Sequence, residues 1–472
     1  MTLYQTLADK LINQIRNGTY QVGDRIPSLR KMAAQNKVSI ATVLEAYNLV
    51  EQQQLIKTKP QSGYYVFHNP RLLLPPPESE NKQPTQLHLG NSIVEILSNT
   101  QNAGLFHFGL AIPHKELQPQ QHLARIASTL SRQHPQKVSS ATFPPGDSTL
   151  RRQIAQKMSK TACLVHPDDI VITNGCQEAI LLSLQILTQP GDIVAIESPC
   201  YHGFLLALES LGLKALSIAT HSEKGIDIEA LEEATKKWPI KACLCSPTLS
   251  NPSGASMSLA NKKALLKLAK QKNFTIIEDD IFGDLHFEQK RPAPLLSLDN
   301  NNQVIYCSSA SKSIAPGLRI GWVIAKNRQR QFIERQMAST TGTNTLSQKI
   351  LAKYFSSPHY EKHLKKIRAI YQQNQQRVLH TVFNTFPPST YATQARGGFI
   401  AWIALPKSVD TYTLYQHALK EKISIVPGKL FAHAGFNHCL RLSYARSWSA
   451  TMEKNLSRLG EIATRLASQQ TR

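Results

Sequence analysis

The chain has 472 residues, more than one hydrophobic core usually serves, so two or more folding units are the starting expectation. Apolar residues at 41% and charged residues at 18% are ordinary for a water-soluble globular protein, and no stretch approaches the ~18 uninterrupted apolar residues of a membrane span. The balance of 54 basic against 32 acidic residues, +22, suits a polyanionic partner, yet residues 1–68 hold only eight Lys/Arg and four Asp/Glu, +4 of that total. Eleven basic and two acidic residues lie between Lys326 and Arg377, on expected helices whose charge reads as a solvated face or as a surface flanking DNA.

The opening Met1–Lys10 is polar and helix-like, without the basic and then apolar run of a secretory leader, so a cytoplasmic location is expected. Cys163, Cys176, Cys200, Cys243, Cys245, Cys307 and Cys439 are odd in number and lack the paired spacing of a zinc site. Reduced, buried thiols and no metal are the expectation.

Leu3, Leu7, Leu11, Ile12 and Ile15 recur at helical spacing, and Asn17-Gly18 supplies a stop. Pro27-Ser28 opens a second helix with Ser28 as its cap; Asn36-Lys37 turns the chain into a third, starting at Ser39, whose Val43, Ala46, Tyr47 and Val50 face inward. That is helix-turn-helix order. Lys57–Phe67 then alternates around Gln61-Ser62-Gly63, which suits a hairpin with Gly63 at its tip. The segments Arg25-Ile26-Pro27-Ser28-Leu29-Arg30, Val38-Ser39-Ile40-Ala41-Thr42-Val43 and Gly63-Tyr64-Tyr65-Val66 resemble, in order and spacing, the GntR-type winged helix-turn-helix. By that resemblance the third helix presents Ser39, Ile40, Ala41 and Thr42 to base edges of double-stranded DNA, Arg25, Arg30, Lys57 and Lys59 are placed for phosphates, and Ser28 and Gly63 complete the DNA-binding set. Many relatives carry an arginine in the first turn of that helix; Ile40 suits contact with a thymine methyl instead.

Residues 69–87 carry Pro70, Pro75, Pro76, Pro77 and Pro84 among polar residues and read as a stiff linker between a head of residues 1–68 and a body of residues 88–472. In the body, strand-like runs such as Ile170–Thr173, Ile193–Ile196, Ala242–Cys245, Thr275–Glu278 and Val304–Ser308 alternate with helical stretches, arguing an α/β unit with a mostly parallel sheet. Ile172–Ala179 runs from strand through Gly175 into a helix, leaving the amides of Cys176 and Gln177 at its positive end, where a phosphate fits. Glu278-Asp279-Asp280 brings a carboxylate to the carboxyl edge of the sheet.

Together with Ser198-Pro199-Cys200-Tyr201-His202-Gly203, Ser246–Gly254, Ser308–Gly321 and Cys439–Ala445, these segments stand in the order of fold-type I enzymes that use pyridoxal 5'-phosphate, and the body resembles the class I/II aminotransferases, with a smaller C-terminal α+β subdomain. The resemblance makes Lys312 the Schiff-base lysine. Ser309 and Arg319 grip the phosphate with Gly175, Cys176 and Gln177; Tyr201 stacks on the pyridine; Asn251 bonds the phenolic oxygen; and Asp279, with Asp280 the neighbouring candidate, pairs with the pyridinium. Arg441 in turn receives a ligand carboxylate. Such enzymes usually place a tyrosine two or three residues after the Asp279 position, where this chain has Ile281 and Phe282.

Head, linker and body together resemble the MocR group of regulators. The resemblance implies a homodimeric DNA-binding regulator that senses a small amine or amino acid through Schiff-base chemistry at Lys312. A working aminotransferase with a secondary DNA-binding head, and a cofactor-free body that only pairs the heads, are the other readings.

Overall fold

The computed structural model describes residues 3–16, 19–21, 23–52, 55–59, 62–67, 72, 83–87, 95–96, 98–99, 102, 104–221 and 224–469. Asn17-Gly18, Gln61 and most of the stretch read as a linker lie outside the described residues. The chain divides into two compact units, Met1–Leu73 and Leu74–Arg472.

In the first unit α1 (Leu3–Arg16), α2 (Leu29–Asn36) and α3 (Ile40–Gln52) precede an antiparallel pair, β1 (Ile56–Lys59) and β2 (Gly63–Val66), in which Lys59 faces Gly63. Ser28 caps α2 by accepting the Lys31 amide at 3.3 Å, and Lys37 ends it in the left-handed conformation. Ser39 accepts the Thr42 amide at 3.0 Å, so it caps α3 and the helix itself starts one residue later than expected. Val43, Ala46, Tyr47 and Val50 are fully buried, whereas Leu3 is 70% exposed and belongs to no core, contrary to its helical spacing. Tyr47 also donates its hydroxyl to the Pro27 carbonyl at 2.7 Å, tying α3 to the start of α2.

The second unit is built on a nine-stranded sheet. Its principal strands are β3 (Ile170–Thr173), β4 (Ile193–Ser198), β5 (Lys214–His221), β6 (Ile240–Cys245), β7 (Thr275–Asp279), β8 (Val304–Ser309) and β9 (Gly321–Ile324), in spatial order 5-4-6-7-8-9-3. All run the same way except β9, which lies antiparallel to both β8 and β3. The continuous apolar runs of β3, β4, β7 and β8 follow from cover on both faces. Thr85–Gln86, within the stretch read as linker, pairs with Ala215 and Lys214 at the sheet edge.

A smaller antiparallel sheet of β10 (Tyr391–Ala392), β11 (Ile400–Ala404), β12 (Val426–Pro427) and β13 (Cys439–Ser443), order 10-11-13-12, forms the C-terminal subdomain with the helix Ala450–Gln469. All seven cysteines are free and buried. Among the described residues no group of His, Cys, Asp and Glu is arranged to hold a metal, and no helix is long and apolar enough to cross a membrane.

The register of β9 fixes the joint on which the carboxyl edge is built. Gly321 pairs with Ser309 on one side and with Thr173 on the other, and a Cβ on it would press on the Gly175 carbonyl and stand 2.7 Å from the Cys176 amide nitrogen. Gly321→Ala should therefore cost about 1–3 kcal/mol or more. Gly317→Ala, where a Cβ meets nothing within 4 Å, should stay within about 0.5 kcal/mol. Urea unfolding of the two variants checks the contrast.

Candidate functional site

Four strand ends converge at the carboxyl edge of the large sheet. After β3, Gly175 takes φ +87° and leads into α4 (Cys176–Leu187), whose first amides receive no side-chain cap. Arg319, itself left-handed at φ 53°, returns its guanidinium to this turn and donates to the Asn174 carbonyl at 3.2 Å. A Cβ on Gly175 would stand 3.0 Å from that guanidinium. Free helix amides, an arginine and the buried Ser309 thus share one cradle of anion-binding character.

Lys312 follows Ser309 in the β8–β9 connection, which the ring of His363 braces through a 2.8 Å contact to the Ser313 carbonyl. Its Nζ donates to the Ala111 carbonyl at 2.7 Å. Burial and the neighbouring Arg441 push the amine down to about 8, against the opposite pull of Asp279. Asp279 ends β7, is buried, accepts from the Ile281 amide at 3.1 Å and from the Cys176 thiol at 3.5 Å, and is pushed up to about 6 chiefly by burial. Asp280 turns the other way, to Arg291 at 2.6 Å and the Tyr306 hydroxyl at 2.9 Å, so it does not share the site.

Tyr201 precedes α5 (His202–Ser210), with its ring against Gly203, where a Cβ would strike it. Gln177 donates to the Gly203 carbonyl at 2.7 Å, joining the starts of α4 and α5. Burial holds the Tyr201 phenol up at about 12, with Asp279 adding to the effect. Asn251 accepts from Arg441 at 3.0 Å. Arg441 projects from β13, is 3% exposed, donates to the Gly109 carbonyl at 2.6 Å, and lies 4.9 Å above the Phe431 ring. Burial lowers its pKa to about 10. The missing hydroxyl is plain: Phe282 is 2% exposed and packs its ring 5.1 Å from Phe399.

All ten residues proposed from the sequence for this site therefore meet at one edge. Five participants carried too little sequence signal: Gly109, Ala111, Phe431, Glu197 and His202. The carbonyls of Gly109 and Ala111 act through backbone, which residue type does not mark. Phe431 sits in a turn without a motif. Glu197, buried on β4 and bonded to Ser250 at 3.0 Å, is raised to about 8 by burial. His202 stands next to Tyr201 in the motif, where residue order alone does not set it apart.

The residues fit pyridoxal 5'-phosphate. A backbone cradle with Arg319 suits a phosphate, a buried carboxylate with no basic side chain bonded to it suits a pyridinium, and an amine of lowered basicity suits an aldehyde.

In the first unit, Arg25, Ser28, Arg30, Ser39, Ile40, Ala41, Lys57 and Lys59 are exposed, and Thr42 and Gly63 partly so. The hydroxyls of Ser28 and Ser39 serve as helix caps within the unit. Arg25 bridges to Tyr65 with its guanidinium beside Gly63, and the Lys59 ammonium lies 4.4 Å above the Tyr65 ring, so the basic residues gather around the β-hairpin. Leu44, one turn beyond Ile40, is 38% exposed beside Ile40 at 48%, an apolar pair that the inward spacing of α3 did not announce.

Residues 3–66 match the family of bacterial regulatory proteins of the gntR type, and residues 116–459 match aminotransferase class I and II. The uncharacterized HTH-type transcriptional regulator YdcR of Escherichia coli is 36% identical over 98% of this chain and 99% of its own length. The 2-aminoadipate transaminase of Thermus thermophilus is 29% identical over 78% of this chain and 93% of its own. Among solved structures, the α-aminoadipate aminotransferase LysN of Thermus thermophilus, complexed with N-(5'-phosphopyridoxyl)-L-leucine, superposes with a TM-score of 0.75 at 27% identity, covering 81% of this chain and 96% of that one. The aminotransferases thus match the second unit, and the regulator matches end to end. The chain belongs to the MocR group of GntR-family transcriptional regulators, a winged helix-turn-helix joined to a pyridoxal-phosphate-dependent domain of the class I and II aminotransferase fold.

Proposed function

We propose that this protein binds DNA through residues 1–68 and senses a small amine or amino acid through pyridoxal phosphate held at Lys312 in a body of residues 88–472 that also forms a homodimer. The observation that carries the reading is a buried lysine lowered to about 8, facing Asp279 and Arg441, in a chain that keeps its winged helix-turn-helix. The bound cofactor supplies an aldehyde that condenses with amines and a ring that withdraws electrons.

The chain's own groups do the rest. Lowered to about 8, Lys312 has a far larger neutral, nucleophilic fraction near pH 7 than an ordinary lysine, although most of it is still protonated there. Ser309, Arg319 and the amides of Cys176 and Gln177 would hold the phosphate at the Gly175 turn, whose own amide donates to the Thr173 carbonyl at 2.9 Å, and Tyr201 would cover one face of the ring. Asp279 would hold a proton on the pyridine nitrogen of the bound cofactor. Asn251 spends only its Oδ1 on Arg441, which leaves its N–H for the phenolic oxygen. Phe282 offers no hydroxyl there, so proton transfer is less well supported than binding, which favours sensing over turnover. The second reading, a working aminotransferase with a DNA-binding head, is favoured by the completeness of the remaining constellation.

Occupancy has a mechanical consequence. Lys312 gives up the Ala111 carbonyl when its amine is used, and Arg441 exchanges the Gly109 carbonyl for an effector carboxylate. Both carbonyls belong to one stretch of backbone, so effector binding distinguishes two positions of residues 109–111, the difference that regulation requires. At the head, Ser39, Ile40, Ala41 and Thr42 meet base edges, and Arg25, Arg30, Lys57 and Lys59 meet phosphates.

Reconstitution with pyridoxal phosphate tests the reading. The wild-type protein should show a visible absorbance band that Lys312→Ala lacks, and a reporter under the gene's own upstream region should respond to an amine only when Lys312 is present. Rapid conversion of an amino acid to its keto acid would favour the enzyme instead. Arg25→Ala and Lys59→Ala should weaken binding to all duplexes alike and reduce the salt slope by about one unit each.

A titration tests Asp279. Its carboxyl is raised from 3.8 to about 6 in the folded protein, so its contribution to stability is present below pH 3.8 and lost as pH rises through about 6. Without cofactor, Asp279→Asn should be more stable than wild type above about pH 6, with that gain gone near pH 3.8. Urea midpoints across that range supply the check.

A further inference from the structure

Two buried polar atoms flank the ring of Phe431 without a hydrogen-bond partner among the described residues. One is Arg441 Nε, whose guanidinium lies 4.9 Å above the ring. The other is His202 Nδ1, whose imidazole meets the same ring edge-on at 5.9 Å and leans on Tyr201 at 4.5 Å. His202 is 8% exposed at the first position of α5, a place that lets the motif's tyrosine face the cofactor and its neighbour face Phe431. Trp402, 5.3 Å from Phe431 and opposite Arg441 in the β11–β13 register, backs the wall.

Buried polar atoms are nearly always hydrogen-bonded, so two orphans on one ring point to a group that comes from outside the chain. The sign of the local charge decides its chemistry. Burial holds the imidazole far below its ordinary range, at about 3, and Arg441 and then Lys312 add to the effect, so both cations act on His202. A cationic side chain would meet two like charges in an apolar wall. An apolar one would leave Nδ1 unsatisfied. An anionic one is drawn by both cations and takes a hydrogen bond from the imidazole, gaining from each feature at once.

We propose that His202 is the seat for a second acidic group, so that the effector is an amino acid with two carboxylates, one on Arg441 and the other on His202. This rests on the reading of Arg441 as the partner of the α-carboxylate. His202 then determines specificity without touching the bond chemistry at Lys312.

The test uses the full chain loaded with pyridoxal phosphate and follows its visible absorbance during titration with L-aspartate, L-glutamate, L-norvaline and L-ornithine. At least one dicarboxylate should bind about tenfold or more tighter than norvaline, the size of one charge-assisted hydrogen bond, and ornithine should bind weakest. His202→Phe should bring the dicarboxylate down to the norvaline level, and His202→Gln should retain part of the preference. Cofactor loading is read in the same spectrum, so a misfolded variant is recognised, and the glutamine variant carries the comparison in that case. Equal affinity of wild type for norvaline and both dicarboxylates overturns the proposal, as does a preference that survives in His202→Phe. A wild-type spectrum indifferent to all four amino acids overturns the sensing reading itself and this one with it.

Discussion

Lys312 and Arg441 are two basic side chains in one buried pocket, and Asp279 is the carboxylate that acts on Lys312. Burial lowers the pKa of both, and Arg441 lowers that of Lys312 further. Charges removed from water need partners, and here those partners are largely neutral: the carbonyls of Gly109 and Ala111 and the amide oxygen of Asn251. A neutral carbonyl is a weaker partner for a guanidinium than a carboxylate, so the arrangement is stable yet exchangeable. Gly109 is there because little else fits. A Cβ on it would stand 2.7 Å from Val426 Cγ2 and 2.9 Å from the Ile425 carbonyl carbon.

The same pocket explains the division of labour at the end of β7. Successive side chains of a strand point to opposite faces, so Asp279 and Asp280 diverge. Asp280 enters a network in which Arg291 bridges it to Asp284 at 3.0 Å, Lys157 pairs with Asp284, and Tyr360 donates to that carboxylate at 2.9 Å. Arg368 adds a bond to the Asp284 carbonyl at 2.6 Å. These contacts pin residues 280–286 to the helices Ser148–Ser159 and Pro358–Thr385, and that loop carries Phe282. A buried ionic network of this kind contributes specificity of position more than net stability, because desolvation offsets much of its attraction. It holds the strand end from below while Cys176 and the Ile281 amide hold the Asp279 carboxylate from above.

Much of this was readable from residue order. The strands that carry the site appear as short apolar runs, since a strand covered on both faces has no alternation to hide it, and the structure extends several of them by one or two residues. Ser28 and Lys37 announced the ends of α2 because caps and left-handed turns select few residue types. Other features had no such signature. Strand direction leaves no trace in composition, so the reversal of β9 was invisible although it positions Gly321. Backbone carbonyls do not depend on side-chain identity, so Gly109 and Ala111 could not be singled out. Leu3 kept the helical period but lies at the end of α1, where no partner element covers it, and Leu44 broke the inward pattern of α3 for the opposite reason, as part of an exposed face.

The absent hydroxyl at Phe282 and the exchangeable carbonyls at Gly109 and Ala111 bear on one question, which is what separates a sensor from a catalyst built on the same residues. A catalyst gains from groups that stabilise the reacting centre more than the bound ligand. A sensor gains from groups whose partners differ between the empty and the occupied state. Phe282 packs on Phe399 and adds to the core instead of supplying a hydroxyl, whereas Arg441 and Lys312 are each bonded to a backbone carbonyl, which under the proposed function an effector would displace. Under that function, binding free energy would go into moving residues 109–111 as well as into holding the ligand. That division fits a body whose output is a change of conformation.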